Sequence, residues 1–538
     1  MRLLGDMLGA VFSLVWALLV LALPLTGVWL ASSLIAFHGG HMYLAIFGGV
    51  LLFPVLPVLW EMRATRAWNE SLRRKKQIVG TKKRTFSLRD RLIMRTLVLN
   101  VAFIALLLVK FPTVAFSALA TRGDWFVDGR HDPTSERLRS VAFASASGLE
   151  WLHELANPNP YRTVADATAP VPDDVKPLPQ AVEITPVSGA RWRPLTDEER
   201  ARRKPKPPEP EVREIVPLPV AEDLKPGLPP PIPTPEIAPE PTEETASYAV
   251  GATMWPWPEE VHPAVKSIAA SDEASIESVA HYISAREKNP FQRVKALHDW
   301  VVTRLSYDKE SVMTGKRKPQ DAKSVFTLRT GVCEGYARLL VALGQVTGDR
   351  IVYVTGDVRE ENGTAAPIGH AWNAVRVGSA WYVMDATWDD PFIDGSGGHY
   401  KTDYLFIPPE IAALDHFPDE PRWQLLPSPL SRGAFLRQAT ARPGLAKEGL
   451  TLVSPERPVI DVGDGLDIVL ENPRRRHVMV TLVDAAQNDT ECALEDAATI
   501  RVHCQIPSVG TWRARISTNG ERYGTYAGVA EIEARRNR

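Results

Sequence analysis

Sulfur is scarce in this chain. Three cysteines, Cys333, Cys492 and Cys504, are spread over 538 residues, so any single disulfide leaves one thiol unpaired. Excess charge of one sign is missing too. The formal net charge is -2, which excludes a bulk nucleic-acid binder. No loop has the spaced oxygen ligands of a calcium site, so no metal or cofactor is expected. No internal repeat stands out.

Charge vanishes altogether from two stretches, residues 7–37 and 42–60. Each is long enough to cross a bilayer, which takes about 20 apolar residues. The first is too long for a cleaved signal, and the second follows it at once. A third apolar stretch, residues 96–120, is interrupted by Lys110. Residues 61–95 hold twelve Lys or Arg against three acids, and the positive-inside rule puts that loop in the cytoplasm. Residues 1–120 therefore read as a membrane region of about three helices. If the third stretch spans, everything beyond about Thr121 lies outside; if it rests on the surface, everything beyond it is cytoplasmic. Its length fits a tilted span, so the outside is expected.

Residues 121–160 carry a stripe of Leu138, Val141, Leu149 and Leu152 and read as a short helical segment beside the membrane. Proline then takes over, with fourteen between Pro205 and Pro241. Such a stretch cannot build a core. Residues 161–250 are expected as an extended polyproline II linker, a semi-rigid spacer holding the next domain away from the membrane.

Globular patterning resumes over residues 251–427. "SIESVAHYISAR" and "FQRVKALHDWVVTRL" have helical periodicity, the second with Val294, Leu297, Trp300, Val301 and Leu305 on one face. A further helix runs from Cys333 to a cap near Gly348, with Tyr336, Leu339, Leu340 and Leu343 on one stripe. Strands follow in "RIVYVTGDVRE" and "HAWNAVRVGSAWYVMDATW", giving an α+β domain. From about 440 to 535, alternating strands between turns point to a small β-sandwich. Cys492 and Cys504 lie twelve residues apart there. A disulfide across a hairpin would suit an oxidising compartment; spacing alone also fits two unpaired thiols.

Cys333 stands at the first step of its helix. The free N–H groups and the positive end of the helix dipole favour a thiolate at that position, although a packed core cysteine would fit it too. The segment "GHAWNAVRVGSAWYVMDATWDDP" adds geometry. Gly378-Ser379 suits a two-residue hairpin turn. Val377 then pairs with Ala380, Trp372 opposes Asp385, and His370 opposes Thr387. The side chains of His370, Trp372, Asp385 and Thr387 leave the same face, with His370 and Asp385 as diagonal neighbours. A nucleophilic thiol needs a base, and the base needs a carboxylate to fix its tautomer.

"GVCEGYA", "GHAWNAV" and "WYVMDATWDDP", in that order, resemble the three motifs of the transglutaminase-like superfamily, nearest to its bacterial and kyphoscoliosis-peptidase-like branch. "DYLFIPPEIAALDHFPDEPRWQLL" is similar to the segment closing that branch's core. The resemblance implies a papain-like core with Cys333 as nucleophile, His370 as general base and acid, and Asp385 as the orienting acid. The Cys333 backbone N–H would be one oxyanion donor. Tyr307 is the candidate for the second, and Trp372 and Trp388 are candidate walls of the acyl slot. The implied fold class is multi-domain: an N-terminal α-helical membrane anchor, an α+β papain-like transglutaminase core and a C-terminal β-sandwich.

The implied function is a membrane-anchored cysteine enzyme that acts on amide bonds of proteins or peptides through a thioester, with hydrolysis ahead of amine transfer. It would sit in a bacterial cytoplasmic membrane with its catalytic domain in the periplasm. A protein or peptide substrate and a cell-wall or envelope protein are the expected partners, with no nucleic acid. The alternative is a non-catalytic binding or scaffold protein, which the intact Cys, His and Asp set argues against. A transporter is the poorest reading, because one intramembrane lysine offers no pathway.

Overall fold

Long uncharged runs form the first helices. The computed structural model describes residues 2–40, 42–74, 85–128, 130, 132–162, 174–175, 255–359, 367–391 and 400–537. Helix α1 is Arg2–Phe37. Helix α2, Met42–Val50, continues through a π-helical turn, Leu51–Val55, into α3, Leu56–Arg74, and α4 is Leu88–Lys110. Among the described residues, two helices are long and apolar enough to cross a membrane: α1 over residues 20–37, and α4. The expected second span departs from this pattern. Its apolar run is divided among α2, the π turn and the start of α3, where Pro54 and Pro57 have no N–H to give a regular helix.

The basic segment is not a loop from its start, since α3 carries it to Arg74. Helix α4 begins with a capping box between Ser87 and Asp90, and Glu61 of α3 pairs with Arg91 and Arg95 of α4 at 3.0 and 2.9 Å. Lys110 ends α4 rather than interrupting a span. Pro112 opens a separate helix, α5, Pro112–Arg122.

Small residues let α5 dock closely. Ala115, Phe116, Ala118, Leu119 and Ala120 are all buried, and α5 shares a core with Leu30 of α1 and with Phe417, Phe435 and Leu436 far downstream. Helices α6, Pro133–Ser147, and α7, Glu150–Ala156, follow. The expected apolar stripe is not the packed face of α6: Leu138 and Val141 are 45% and 64% exposed, while Ala142 and Ala146 turn inward. Asp124, fully buried after α5, accepts from Arg139 and from Arg457 near the other end of the chain. Arg122 pairs with Asp461.

These contacts correct the spacer expectation. The upstream helices share a core with the later domains instead of standing off from them. Residues 157–162, part of which had been assigned to the linker, run across the central domain. Asp174 pairs there with Arg350 and Arg376 at 3.3 and 2.8 Å. The chain re-enters at Trp255, whose indole N–H donates to Asp403 O at 3.1 Å. Both ends of the proline-rich segment therefore rest on one domain. The segment itself, like residues 163–173, lies outside the described residues.

The central domain has helices on one face of a sheet. They are α8, Ile276–Arg286; α9, Pro290–Arg304; α10, Ala322–Leu328; and α11, Cys333–Thr347. A parallel pair joins β1, Ser306–Tyr307, to β2, Thr330–Gly331. The five-stranded antiparallel sheet has the order β6-β5-β4-β3-β7, where β3 is Arg350–Arg359, β4 Pro367–Val377, β5 Ala380–Met384, β6 Leu405–Ile407 and β7 His416–Pro418. The predicted faces of α9 and α11 fill the core: Val294, Leu297, Trp300, Val301, Tyr336, Leu339, Leu340 and Leu343 are buried together. Asn373 of β4 donates to Ala337 O of α11 and Val352 O of β3 at 3.0 and 3.1 Å, fixing the helix against the sheet. Helix α12, Arg432–Arg437, leads out of the domain.

The C-terminal strands make two sheets. One includes β10, Val459–Val462, β16, Ala527–Arg536, β15, Gly510–Asn519, β12, His477–Val483, and β13, Asp489–Glu495, in that order, with the short β8, Thr440–Ala441, paired to β16. The other is β14, Thr499–Gln505, then β11, Gly465–Glu471, then the short β9, Thr451–Ser454. Leu466, Ile468, Val502 and Ile500 of one sheet meet Val478, Val480, Ile516 and Ile532 of the other in a single core. A disulfide joins Cys492 to Cys504. It bridges edge strands of the two different sheets, not a hairpin within one, and Cys333 is the free, buried cysteine.

The bridge closes a loop with a sequence separation of 12. Its entropic contribution is about 3 kcal/mol for a loop of that length. Cys492→Ala with Cys504→Ala should lower the unfolding free energy by about that amount in denaturant titration. Non-reducing peptide mapping of the parent should recover the 492–504 link and leave Cys333 unlinked.

Candidate active site

The site is assembled from three strand ends and one helix start. Val332, extended at φ -92°, ψ -176°, precedes α11 without any side-chain cap. The N–H groups of Cys333 and Glu334 therefore have no intrahelical partner, while that of Gly335 already donates to Val332 O at 2.8 Å. The Val332 N–H donates to Gln320 Oε1 at 2.9 Å, fixing the approach of the chain. Gly335 allows α10 to come close: a Cβ there would meet Gln320 Oε1 at 2.6 Å and Val325 Cγ2 at 2.8 Å.

The hairpin follows the register expected for it. Val377 pairs with Ala380 and Asn373 with Met384, and the turn uses Gly378 at φ +60°, where glycine carries no Cβ penalty. Continuing that register brings His370 and Asp385 together, with Nε2 to Oδ2 at 2.7 Å. Cys333 is near enough to act on the charge of the same imidazole. Since its Nε2 is engaged by Asp385, that leaves Nδ1 for the sulfur. Asp385 Oδ1 accepts the N–H groups of Thr387 and Trp388 at 2.8 and 3.4 Å.

The segment after Asp385 is held by its own buried network. Tyr336 of α11 donates to Asp390 at 2.6 Å. His298 of α9 lies 3.0 Å from Asp389 and 3.2 Å from Asp299, and Asp389 accepts the Tyr404 N–H at 3.0 Å. The first and third sequence motifs are thus joined through Tyr336 and Asp390.

Electrostatics follow from burial and pairing. Burial favours a neutral His370, but Asp385 and Cys333 outweigh it and push the imidazole up to about 10. Burial works against charge on Asp385 as well, yet His370 and His416 hold its carboxyl well below the usual carboxylate range. A buried Cys, His and Asp set of this kind can hold a thiolate beside an imidazolium and pass a proton between sulfur and an acyl leaving group.

Two residues at the site escaped the sequence reading. Tyr161, which falls at the start of the expected linker, is buried with Val332, Cys333 and Ala371, and burial together with Cys333 raises its hydroxyl. Asn159 fixes this strap by donating to Gly356 O at 2.6 Å and His370 O at 3.3 Å. The Tyr161 carbonyl accepts from Tyr353 at 2.8 Å. With the strap in place Cys333 is 1% exposed. The other is His416 of β7, whose Nε2 lies 3.2 Å from Asp385 Oδ2. The "DHFP" sequence offered a His beside an Asp, but nothing local said which strand it would join.

The remaining candidates divide. Tyr307 packs against the Cys333 cluster, and burial together with Cys333 raises its hydroxyl. Trp388 is half-buried, 5.5 Å between ring centroids from His370. Trp372 is 2% exposed and stacks against His370 at 6.0 Å. It packs beneath the imidazole and is too buried to wall an open slot. The ligand atoms of His370, Asp385 and His416 lie within 4.8 Å of one another. Both imidazole Nε2 atoms point at the same carboxylate oxygen, which is hydrogen-bonding geometry.

Residues 277–386 match the transglutaminase-like superfamily. The kyphoscoliosis peptidases of Mus musculus and Homo sapiens are 24% and 23% identical to this chain over 255 residues, covering 46% of this chain and 38% of each relative. The chain thus spans well under half the length of the curated relatives it matches. A solved TGase structure is 17% identical, with a TM-score of 0.19 over 22% of this chain and 32% of its own.

The His370–Asp385 pair implies a pH signature. A raised His370 contributes stability fully below its ordinary value of 6.5, and the contribution is lost as pH rises toward about 10. In a Cys333→Ala background, where Asp385 remains to hold the proton, denaturant midpoints of the detergent-solubilised chain should therefore fall as pH rises above 6.5, over a narrower window than with the thiol present. Adding Asp385→Asn removes the partner that holds the proton, so the fall should flatten. An unchanged slope would mean that Asp385 does not hold the proton on His370.

Proposed function

We propose that the transglutaminase-like domain of this chain is a cysteine enzyme acting on amide carbonyls of proteins or peptides. The observation that carries this reading is the buried set of Cys333, His370 and Asp385, with His370 hydrogen-bonded to Asp385 and Cys333 acting on its charge, at an uncapped helix start. The Cys333 thiolate attacks the carbonyl carbon, and the oxyanion gathers at the N–H groups opening α11. His370, as imidazolium, gives its proton to the leaving amine as the C–N bond breaks, leaving a thioester. Water then attacks, His370 takes its proton, and the C–S bond breaks to release the acid and the thiolate. An amine in place of water would give transfer. Hydrolysis needs no second substrate to enter a site where sulfur is almost fully covered, which favours it. Substrate entry requires the Tyr161 strap to yield.

The same reading places the enzyme in a membrane. The ends of α1 and α4 both lie at the folded domains: Phe37 O accepts from Arg535, and α4 leads directly into the docked α5. Two helices ending on the same side need a return passage between them, and the helical run over residues 42–74 supplies it. The basic residues then lie at the opposite end, in the cytoplasm, with the catalytic and sandwich domains outside. The disulfide suits that compartment. An envelope protein is the natural partner class.

Two experiments test these readings. Intact-mass labelling with iodoacetamide near neutral pH should modify Cys333 selectively, with Cys333→Ala as control, and hydroxylamine should trap an acyl-enzyme formed on protein substrates. Cys333→Ala should abolish trapping. His370→Ala should cost about 10²- to 10⁴-fold, and Asp385→Asn less, because the reacting atoms remain. The double variant should cost little beyond His370→Ala, as residues acting as a unit are non-additive. A folded Cys333→Ala protein with full activity would sink the mechanism. For topology, alkaline phosphatase fused after Pro241 should be active in intact cells and a fusion after Arg74 inactive. The reverse pattern would put the domains in the cytoplasm.

A further inference from the structure

We propose that His416 is a positioning residue for this reaction: held as an imidazolium between Asp385 and Asp415, it shares the Asp385 Oδ2 oxygen with His370 and tempers that carboxylate's pull on the His370 proton. The proposal rests on the cysteine-enzyme reading above and deepens it.

The geometry is specific. His416 is buried at the first position of β7. Its Nε2 is 3.2 Å from Asp385 Oδ2, the same oxygen that meets His370 Nε2 at 2.7 Å. Its Nδ1 is 2.7 Å from Asp415 Oδ1. A neutral imidazole has one N–H and one lone pair. With a carboxylate oxygen at each nitrogen, a neutral ring would aim its lone pair at an anion; the doubly protonated ring donates to both. Burial opposes the charge, but Asp415 and Asp385 still raise His416 above its ordinary value.

The groups facing this ring are two carboxylates that hold its charge and two cations that oppose it, and the carboxylates are the ones in direct contact. Asp385 comes from the end of β5, Asp415 precedes β7, and His370 of β4 is 5.9 Å away between ring centroids. The Tyr404 hydroxyl donates to Asp415 Oδ2 at 2.6 Å, keeping that carboxylate an acceptor. The Arg359 guanidinium acts on Asp415 from the end of β3. Trp372 and Trp388 close the ring in edge-on, at 5.0 and 4.8 Å, so water does not compete for its N–H groups.

The consequence is electrostatic. An Asp385 facing His370 alone would hold the imidazolium too firmly to release its proton to a leaving amine. A fixed cation on the same oxygen weakens that hold and makes the whole site less negative, which favours the Cys333 thiolate. Removing the His416 charge should therefore move every ionisation of the Cys333–His370 couple to higher pH.

Alkylation by iodoacetate reads this directly. The anionic reagent reacts best when thiolate and imidazolium coexist, giving a bell-shaped rate against pH. The test uses full-length protein in detergent, with intact mass as readout and Cys333→Ala as the reagent control. His416→Gln keeps an amide donor toward Asp385 without the charge, and both limbs of the bell should shift upward by about one pH unit. Asp415→Asn leaves the ring but removes the anion that keeps it charged, and should shift both limbs the same way. It serves as the second variant where His416→Gln does not fold. A lowered rate with unmoved limbs would mean His416 only packs, and would overturn the proposal while leaving the cysteine-enzyme reading intact. A parent protein whose Cys333 shows no selective alkylation would instead overturn that reading, and this proposal with it.

Discussion

Asp385 keeps a full negative charge where only 1% of its surface is exposed, and the domain is built around the donors that charge requires. An unpaired carboxylate in such a place would cost several kcal/mol. Two backbone N–H groups, from Thr387 and Trp388, come from the tight turn that follows it. Two imidazoles come from β4 and β7, strands that lie on opposite sides of β3. The turn is pinned to α9 through His298 and Asp389 and to α11 through Tyr336 and Asp390. Truncating any of these leaves a buried charge short of a partner, so the sheet order, the hairpin register and the helix start are energetically tied to one residue.

The sulfur is placed by a separate constraint, the close contact of α10 with the start of α11. Gln320 holds the Val332 N–H, and Gly335 admits the approach. Since α11 is fixed to the sheet by Asn373, the helix start cannot drift from His370. The Tyr161 strap is different in kind. It is joined to this framework by Asn159 and Tyr353 hydrogen bonds and has no strand or helix of its own, so it is the part of the site's cover that can move at least cost to the core.

Much of the site was legible because it is written in local rules. A two-residue turn and the period of two place His370 opposite the Asp385 end of β5 without any tertiary information, and helical periodicity places Cys333 at an exposed set of N–H groups. What stayed hidden depends on where distant chain returns. Tyr161 lies 172 positions before Cys333 in the sequence, inside a region whose prolines speak of stiffness but not of destination. His416 becomes a neighbour of Asp385 only because β7 pairs with β3, with Val358 opposite His416, and a three-residue strand carries no periodic signal. The α5 helix misled for a related reason. Its alanines, Phe116 and Leu119 are as apolar as a span, and only the break at Phe111 and Pro112, with the docking on Phe417 and Phe435, separates a protein core from a lipid one.

Strand β7 ties the two halves of the molecule together. Its side chains alternate, so His416 faces Asp385 while Phe417 turns to the opposite side. There Phe417 packs in the cluster that holds Ala115, Phe116 and Leu119 of α5, and its ring lies 5.3 Å between centroids from Phe435 of α12. The backbone opposite Phe417 belongs to Asp357, whose carboxylate is paired with Arg432 of α12. The same short strand therefore carries both the ring that packs on α5, which continues directly from the apolar α4, and the imidazole that meets the Asp385 carboxylate.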